Sequence, residues 1–221
     1  MWQDLEKPWQ RAFELAWNAY KKNTIPIGAV ITNANGDIIS EGRNMIFDKN
    51  SNNALAGTYM AHAEMTAMMQ LKTHEHPNIK SYTLYTTMEP CPMCFGTMLM
   101  MHICDLRYAA RDGFAGATEL KDKIEYTRRK RMNIIGCKEE LQAFQLILQT
   151  SFEYIRKHPK LNEILKPWRE VDTNAVIIGK ELYDEGYFID AISNNIKVSK
   201  LYNEVILRYA QKNESKIKIF T

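Results

Sequence analysis

One imidazole and two thiols, His62, Cys91 and Cys94, accompany the carboxylate Glu64 in two short strings, His62-Ala63-Glu64 and Pro90-Cys91-Pro92-Met93-Cys94. These ligand types suit zinc. A structural zinc is normally closed by four protein ligands, whereas a catalytic zinc takes three and leaves a position for water. Glu64, two residues from a ligand, is then placed to take and return that water's protons. The chemistry on offer is hydrolysis, with water activated near neutral pH. Cys-x-x-Cys alone also fits a redox pair or half of a structural zinc site. The upstream His-Ala-Glu, and a strand running into Pro90, single out the catalytic arrangement.

Two thiolates neutralise a zinc ion and blunt its effect on water. Helix ends offset this, because His62 and Cys91 both fall at predicted helix starts, whose partial positive charge favours thiolate and hydroxide. Residues two apart on a helix do not share a face. His62 and Glu64 therefore meet one centre only if it sits at the helix end, which Cys91 and Cys94, three apart, also reach.

The elements that must hold these residues are legible from spacing. Pro8 suits a first helical turn, and Trp9, Phe13, Ala16, Trp17 and Tyr20 recur at helical intervals up to a stop at Asn23. Residues 25–32 and 37–41 form a predicted hairpin turning at Asn35-Gly36. The polar stretch 44–58 reads as a loop over a site. Helices over 62–71 and 91–102 alternate with strands over 82–87 and 105–110, which implies parallel pairing through a helical crossover. A helix over 118–130 and a strand over 132–136 complete a three-layer α/β/α unit on a mixed sheet of about five strands. Residues 139–158 form a long amphipathic helix ended by Pro159. Further helices are predicted over 174–185 and 198–211, with Gly186 between them. The expected organisation is one α/β domain over 1–158 and a helical extension over 159–221.

Composition narrows the setting. The chain has 221 residues and a net charge of +3, too close to neutral to argue by itself for nucleic acid or membrane. Its start lacks the basic and apolar regions of a secretory signal, and the apolar run near 95–103 is too short to span a bilayer. Four cysteines in this length make no disulfide framework, so a reducing, cytoplasmic setting is expected.

H-x-E followed by P-C-x-x-C is the pattern of zinc nucleobase deaminases. With Pro26-Ile27-Gly28-Ala29-Val30, Gly42-Arg43-Asn44 and Ala110-Arg111-Asp112 followed by Gly116-Ala117, residues 25–136 resemble the cytidine/deoxycytidylate deaminase superfamily. Within it the chain is most similar to the branch of bacterial tRNA adenosine deaminases and guanine deaminases. The resemblance implies zinc held by His62, Cys91 and Cys94, with Glu64 as the acid and base. It also implies that Asn44 and the Ala63 backbone N–H contact the base, that Asp112 lies near a ribose or flanking group, and that the chain forms a homodimer. Glu89 is expected to support the site by hydrogen bonding.

Two features bear on substrate. The tRNA enzymes usually read Asp/Asn-Pro-Thr-Ala before His-Ala-Glu, where this chain has Gly57-Thr58-Tyr59-Met60-Ala61. They also end soon after the α/β unit. The expected activity is therefore deamination of a purine nucleobase or nucleoside, with tRNA adenosine deamination as the alternative. A silent scaffold that binds a partner through its C-terminal helices is the third reading, and the intact Glu64 argues against it.

Other residues carry open readings. Asn44 also fits a turn cap, and Asp112 also fits a helix start. Arg128 to Arg131 read as a solvated helix end or, less simply, a phosphate contact. Met98, Met100 and Met101 are expected in the core, as are the thiols of Cys104 and Cys137. Trp168, Tyr183, Tyr187 and Phe188 are expected either to wall the pocket or to fill a core.

Overall fold

The computed structural model describes residues 1–136 and 138–217, with backbone alone for 215–217. Cys137 lies outside the described residues. Five strands form one sheet: β1 (Gly28–Thr32), β2 (Ile38–Arg43), β3 (Thr83–Met88), β4 (Asp105–Ala110) and β5 (Asn133–Gly136). Their spatial order is β2-β1-β3-β4-β5. β1 is antiparallel to β2 and β3, while β3, β4 and β5 run parallel. The expected mixed sheet is present.

Helices α1 (Lys7–Lys21) and α5 (Glu139–Ile155) cover one face, and α2 (Ala63–Met68) and α3 (Pro92–Met100) cover the other. α4 (Glu125–Arg129) lies between β4 and β5 in the chain. Four more helices follow: α6 (Leu161–Val171), α7 (Thr173–Asp184), α8 (Tyr187–Ser193) and α9 (Val198–Ile217). They pack on α1 and α5 in one continuous core that includes Phe13, Phe144, Phe152, Trp168, Phe188 and Tyr202. Tyr183 stacks on Tyr154 with ring centroids 5.3 Å apart. Of the aromatics with two open readings, Trp168 and Phe188 are core residues. No helix among the described residues is long and apolar enough to cross a membrane.

Several local expectations are corrected. The hairpin is present, but its turn centres on Ala34 and Asn35. Asn33 Oδ1 accepts from the N–H groups of Asn35 and Asp37, and Gly36 follows with a φ of 84°. The side chain of Asn33 thus widens the loop beyond two residues. The helix expected over 118–130 is instead a 3₁₀ turn, Thr118–Asp122, and the short α4. Its large apolar residues, Leu120, Ile124 and Tyr126, are all exposed, so no core stripe holds one helix together. Thr127 Oγ1 further engages the carbonyls of Leu120 and Ile124. Met100 is 66% exposed, unlike the buried Met98, and Cys104 is only half-buried.

α6 was unforeseen because Pro167 lies inside it. Ile164, Leu165 and Trp168 are buried at helical spacing, and that packing outweighs the lost backbone hydrogen bond.

Candidate metal centre

Register places the site. Arg43 pairs with Gly28, Ala29 with Thr86, and Met88 with Ala110. The chain therefore leaves the sheet along one edge at Asn44, Glu89 and Arg111. α2 is pinned beside β2 by Ser40 Oγ donating to the Ala67 carbonyl (2.6 Å) and Thr66 Oγ1 donating to that of Arg43 (3.0 Å). The backbone N–H of Met45 donates to the Ala61 carbonyl at 2.8 Å, which draws the start of α2 to the same edge.

His62 is the N-cap of α2, and Cys91 is the N-cap of α3. Both ligands sit where helix ends present partial positive charge, as their spacing predicted. Cys94 lies in the first turn of α3. Cys91 Sγ is 3.6 Å from His62 Nδ1 and 3.6 Å from Cys94 Sγ, and one ligand atom from each residue falls within 4.8 Å of the others. Zinc–sulfur bonds of about 2.3 Å in a tetrahedron set sulfurs about 3.8 Å apart, so this trio fits zinc. Glu64 is buried beside it: Oε1 accepts from Thr86 Oγ1 at 3.2 Å, and Oε2 from Cys94 Sγ at 3.5 Å.

The titrations follow from this crowding. Hydrogen bonding from Cys94 and then from His62, against burial, pulls the Cys91 thiol down to about 4. Cys94 is pushed up, first by its hydrogen bond with Cys91, then by burial, and further by the charge of Glu64. Burial lowers His62, but its hydrogen bond to Cys91 and the charge of Glu64 outweigh it, and the net direction is up. Burial, partly opposed by His62, raises Glu64. His62, Cys91 and Cys94 would hold a metal ion through one ligand atom each, and both thiols would bind it as thiolates.

The remaining expected residues surround this centre. Asn44 is buried, and its Oδ1 accepts from Thr24 Oγ1 (2.8 Å) and from the Ile46 backbone N–H (3.1 Å). Because a backbone N–H only donates, the amide orientation is determined, and Nδ2 is the group left to donate. Ala63 is buried as the first residue of α2, where backbone N–H groups lack helical partners. Glu89 accepts from the backbone N–H groups of Asp112 (3.2 Å) and Thr118 (3.1 Å), and from the Thr118 hydroxyl. Asp112 Oδ1 accepts from Trp168 Nε1 at 2.9 Å and from the Phe114 N–H at 3.0 Å.

Sequence reasoning missed the buried Arg43–Asp48 ion pair, which ties the start of the 44–58 loop to its middle. The Arg43 guanidinium holds the Asp48 carboxyl below its ordinary range. A buried-type pairing five residues apart inside a polar loop carries no sequence signal of its own.

A three-layer α/β/α fold with His-x-Glu and Cys-x-x-Cys converging at two helix starts is an arrangement fit to hold a metal ion, and it is that of the zinc-binding deaminase class. The family described as "Cytidine and deoxycytidylate deaminase zinc-binding region" matches residues 3–110. The tRNA-specific adenosine deaminase of Haemophilus influenzae is 35% identical over 169 residues, covering 72% of this chain and 90% of that protein. The protein of the same description from Streptococcus pyogenes serotype M3 is 36% identical over 156 residues, covering 69% and 85%. Among solved structures, a mutant of NE0047 in complex with 8-azaguanine superposes with a TM-score of 0.52 at 21% identity, covering 68% of this chain and 86% of that one. The chain belongs to the cytidine/deoxycytidylate deaminase family.

Proposed function

We propose that the protein hydrolytically deaminates an adenine base presented in tRNA, exchanging the C6 amine for oxygen and releasing ammonia. The observation that carries this reading is an intact trio of ligands with Glu64 buried against it, in a chain 35% identical over most of its length to a tRNA-specific adenosine deaminase. A bound zinc ion supplies a Lewis acid that lowers the pKa of water toward neutrality. Glu64 accepts the proton released by the attacking water and delivers it to the ring nitrogen beside the amino-bearing carbon. It then passes the second water proton to the departing amine. Asn44 Nδ2 donates to a ring acceptor and sets the base's orientation.

Exposed aromatics support a polynucleotide substrate. Phe47, Tyr59 and Phe114 are 42%, 89% and 51% exposed, three residues or fewer from Asn44, His62 and Asp112 respectively. Such rings can stack on flanking bases. A second reading, a free purine base, is favoured by Asp112. The carboxylate that the resemblance sets near a ribose is here bonded to Trp168 within the protein.

Zinc-loaded protein incubated separately with tRNA, adenosine, adenine, guanosine and guanine distinguishes the two. Inosine in tRNA nucleoside digests, with no ammonia released from the monomers, is the expected result. Turnover of a free purine with tRNA left unchanged would overturn it in favour of the second reading.

A further inference from the structure

The loop that follows β4 closes directly over the metal-bearing turn. Glu89 N–H donates to the Ala110 carbonyl (2.8 Å) and Ala117 N–H to the Pro90 carbonyl (3.0 Å). Within the same loop, the N–H groups of Asp112 and Thr118 grip the Glu89 carboxylate from two sides. Pro90 is followed immediately by Cys91. The position of this ligand therefore depends on how firmly residues 111–118 hold Glu89-Pro90.

That loop has little core of its own: Arg111, Gly113, Phe114 and Gly116 are exposed. A segment so exposed opens readily unless something outside it ties it down. The tie comes from α6. Trp168 is 2% exposed and rooted in the aromatic core beneath α6, and its indole N–H reaches Asp112 Oδ1 at 2.9 Å. The α6 backbone also presses on the loop, since a Cβ built on Gly113 would lie 2.9 Å from the Pro167 carbonyl oxygen. Both residues lie beyond the 3–110 region that matches the family.

We propose that α6 is a brace for the metal centre: Trp168 fixes Asp112, Asp112 and Thr118 fix Glu89, and Glu89-Pro90 fixes Cys91. Trp168 is a positioning residue, acting through the loop and not on substrate. This inference rests on the reading of His62, Cys91 and Cys94 as zinc ligands. It assigns the C-terminal helices a part in metal binding as well as in the core. Partners hydrogen-bonded directly to a ligating side chain are worth about 10- to 100-fold in metal affinity, which sets the upper scale for this path. A contact one step further out is expected to be worth about tenfold by the same scale.

Trp168→Phe keeps a buried aromatic ring while removing the donor and the second ring of the indole, so its folding is checked by urea unfolding alongside. The test measures zinc affinity by chelator competition, and the thiolate-to-cobalt charge-transfer band of the Co2+ form, for wild type, Trp168→Phe, Glu89→Gln and the double variant. Expected are an affinity loss of about tenfold in Trp168→Phe, a shifted or broadened band, and a double variant little worse than Glu89→Gln alone, since both act along one path. Wild-type affinity and spectrum in a folded Trp168→Phe protein, or strictly additive losses in the double variant, would overturn the brace while leaving the zinc reading intact. A wild-type chain that binds no zinc overturns both.

Discussion

On one face of the sheet, α2 and α3 have 6 and 9 residues, and each has a residue of the candidate metal trio, His62 or Cys91, as its N-cap. On the other, α1 and α5 have 15 and 17 residues and bury Trp9, Phe13, Trp17, Phe144 and Phe152 among α6 to α9. The first face uses helix ends, where unpaired backbone N–H groups and partial positive charge favour thiolate. The second uses helix sides, where large rings remove apolar surface from water. The candidate chemistry thus lies on one side of the sheet, above a smaller core that includes Leu84, Phe95 and Met98, and the larger aromatic core on the other. Away from the Trp168–Asp112 contact, substitutions on the two faces should separate activity from stability.

The largest effect falls on the chemical face. Glu64→Ala is expected to lower kcat by about 10²- to 10⁴-fold while zinc content, measured on the purified protein, stays near wild type. A variant that keeps most of its turnover would remove Glu64 from proton transfer. On the packing face, Phe144→Ala, at a site with no exposure, should cost about 3–5 kcal/mol in urea unfolding. Its folded fraction should still bind zinc normally. Zinc loss before unfolding would show that the faces are not separable in this way.

A smaller, pH-dependent effect lies where the faces meet. Glu153, on α5, is buried, and its Oε2 lies 3.5 Å from Arg156 Nε without a hydrogen bond. Burial, opposed by Arg156 and assisted by the charge of Asp112, pushes its carboxyl up to about 7. The native state then binds more protons than the unfolded chain between about pH 4.5 and pH 7, so stability falls as pH rises through that window. At about 1.4 kcal/mol per pH unit the loss is on the order of 3 kcal/mol. Glu153→Gln should flatten this slope and raise the melting temperature at pH 8. An unchanged slope would show that Glu153 ionises in the native state as freely as in the unfolded one.

The difference between the faces also explains what was legible. The ligands and Glu64 occupy two short strings whose spacing reports helix starts, so the centre could be read locally. The sheet followed from runs rich in aromatic and β-branched residues, such as 82–87, one residue off the observed strand Thr83–Met88, and from turn residues. α6 was hidden by Pro167, because a helix held by tertiary packing overrides the local signal. Trp168–Asp112 joins residues 56 apart in sequence, and nothing in either string announces the other. Met100 was misplaced because apolar character alone does not say which side of a helix meets the core.

Metal analysis combined with X-ray absorption at the zinc edge of the purified protein tests the central claim most directly. One zinc per chain, bound by two sulfurs and one imidazole nitrogen with a fourth position held by a non-protein light atom, is the predicted result. A chain without zinc, or a zinc closed by four protein ligands, would contradict it.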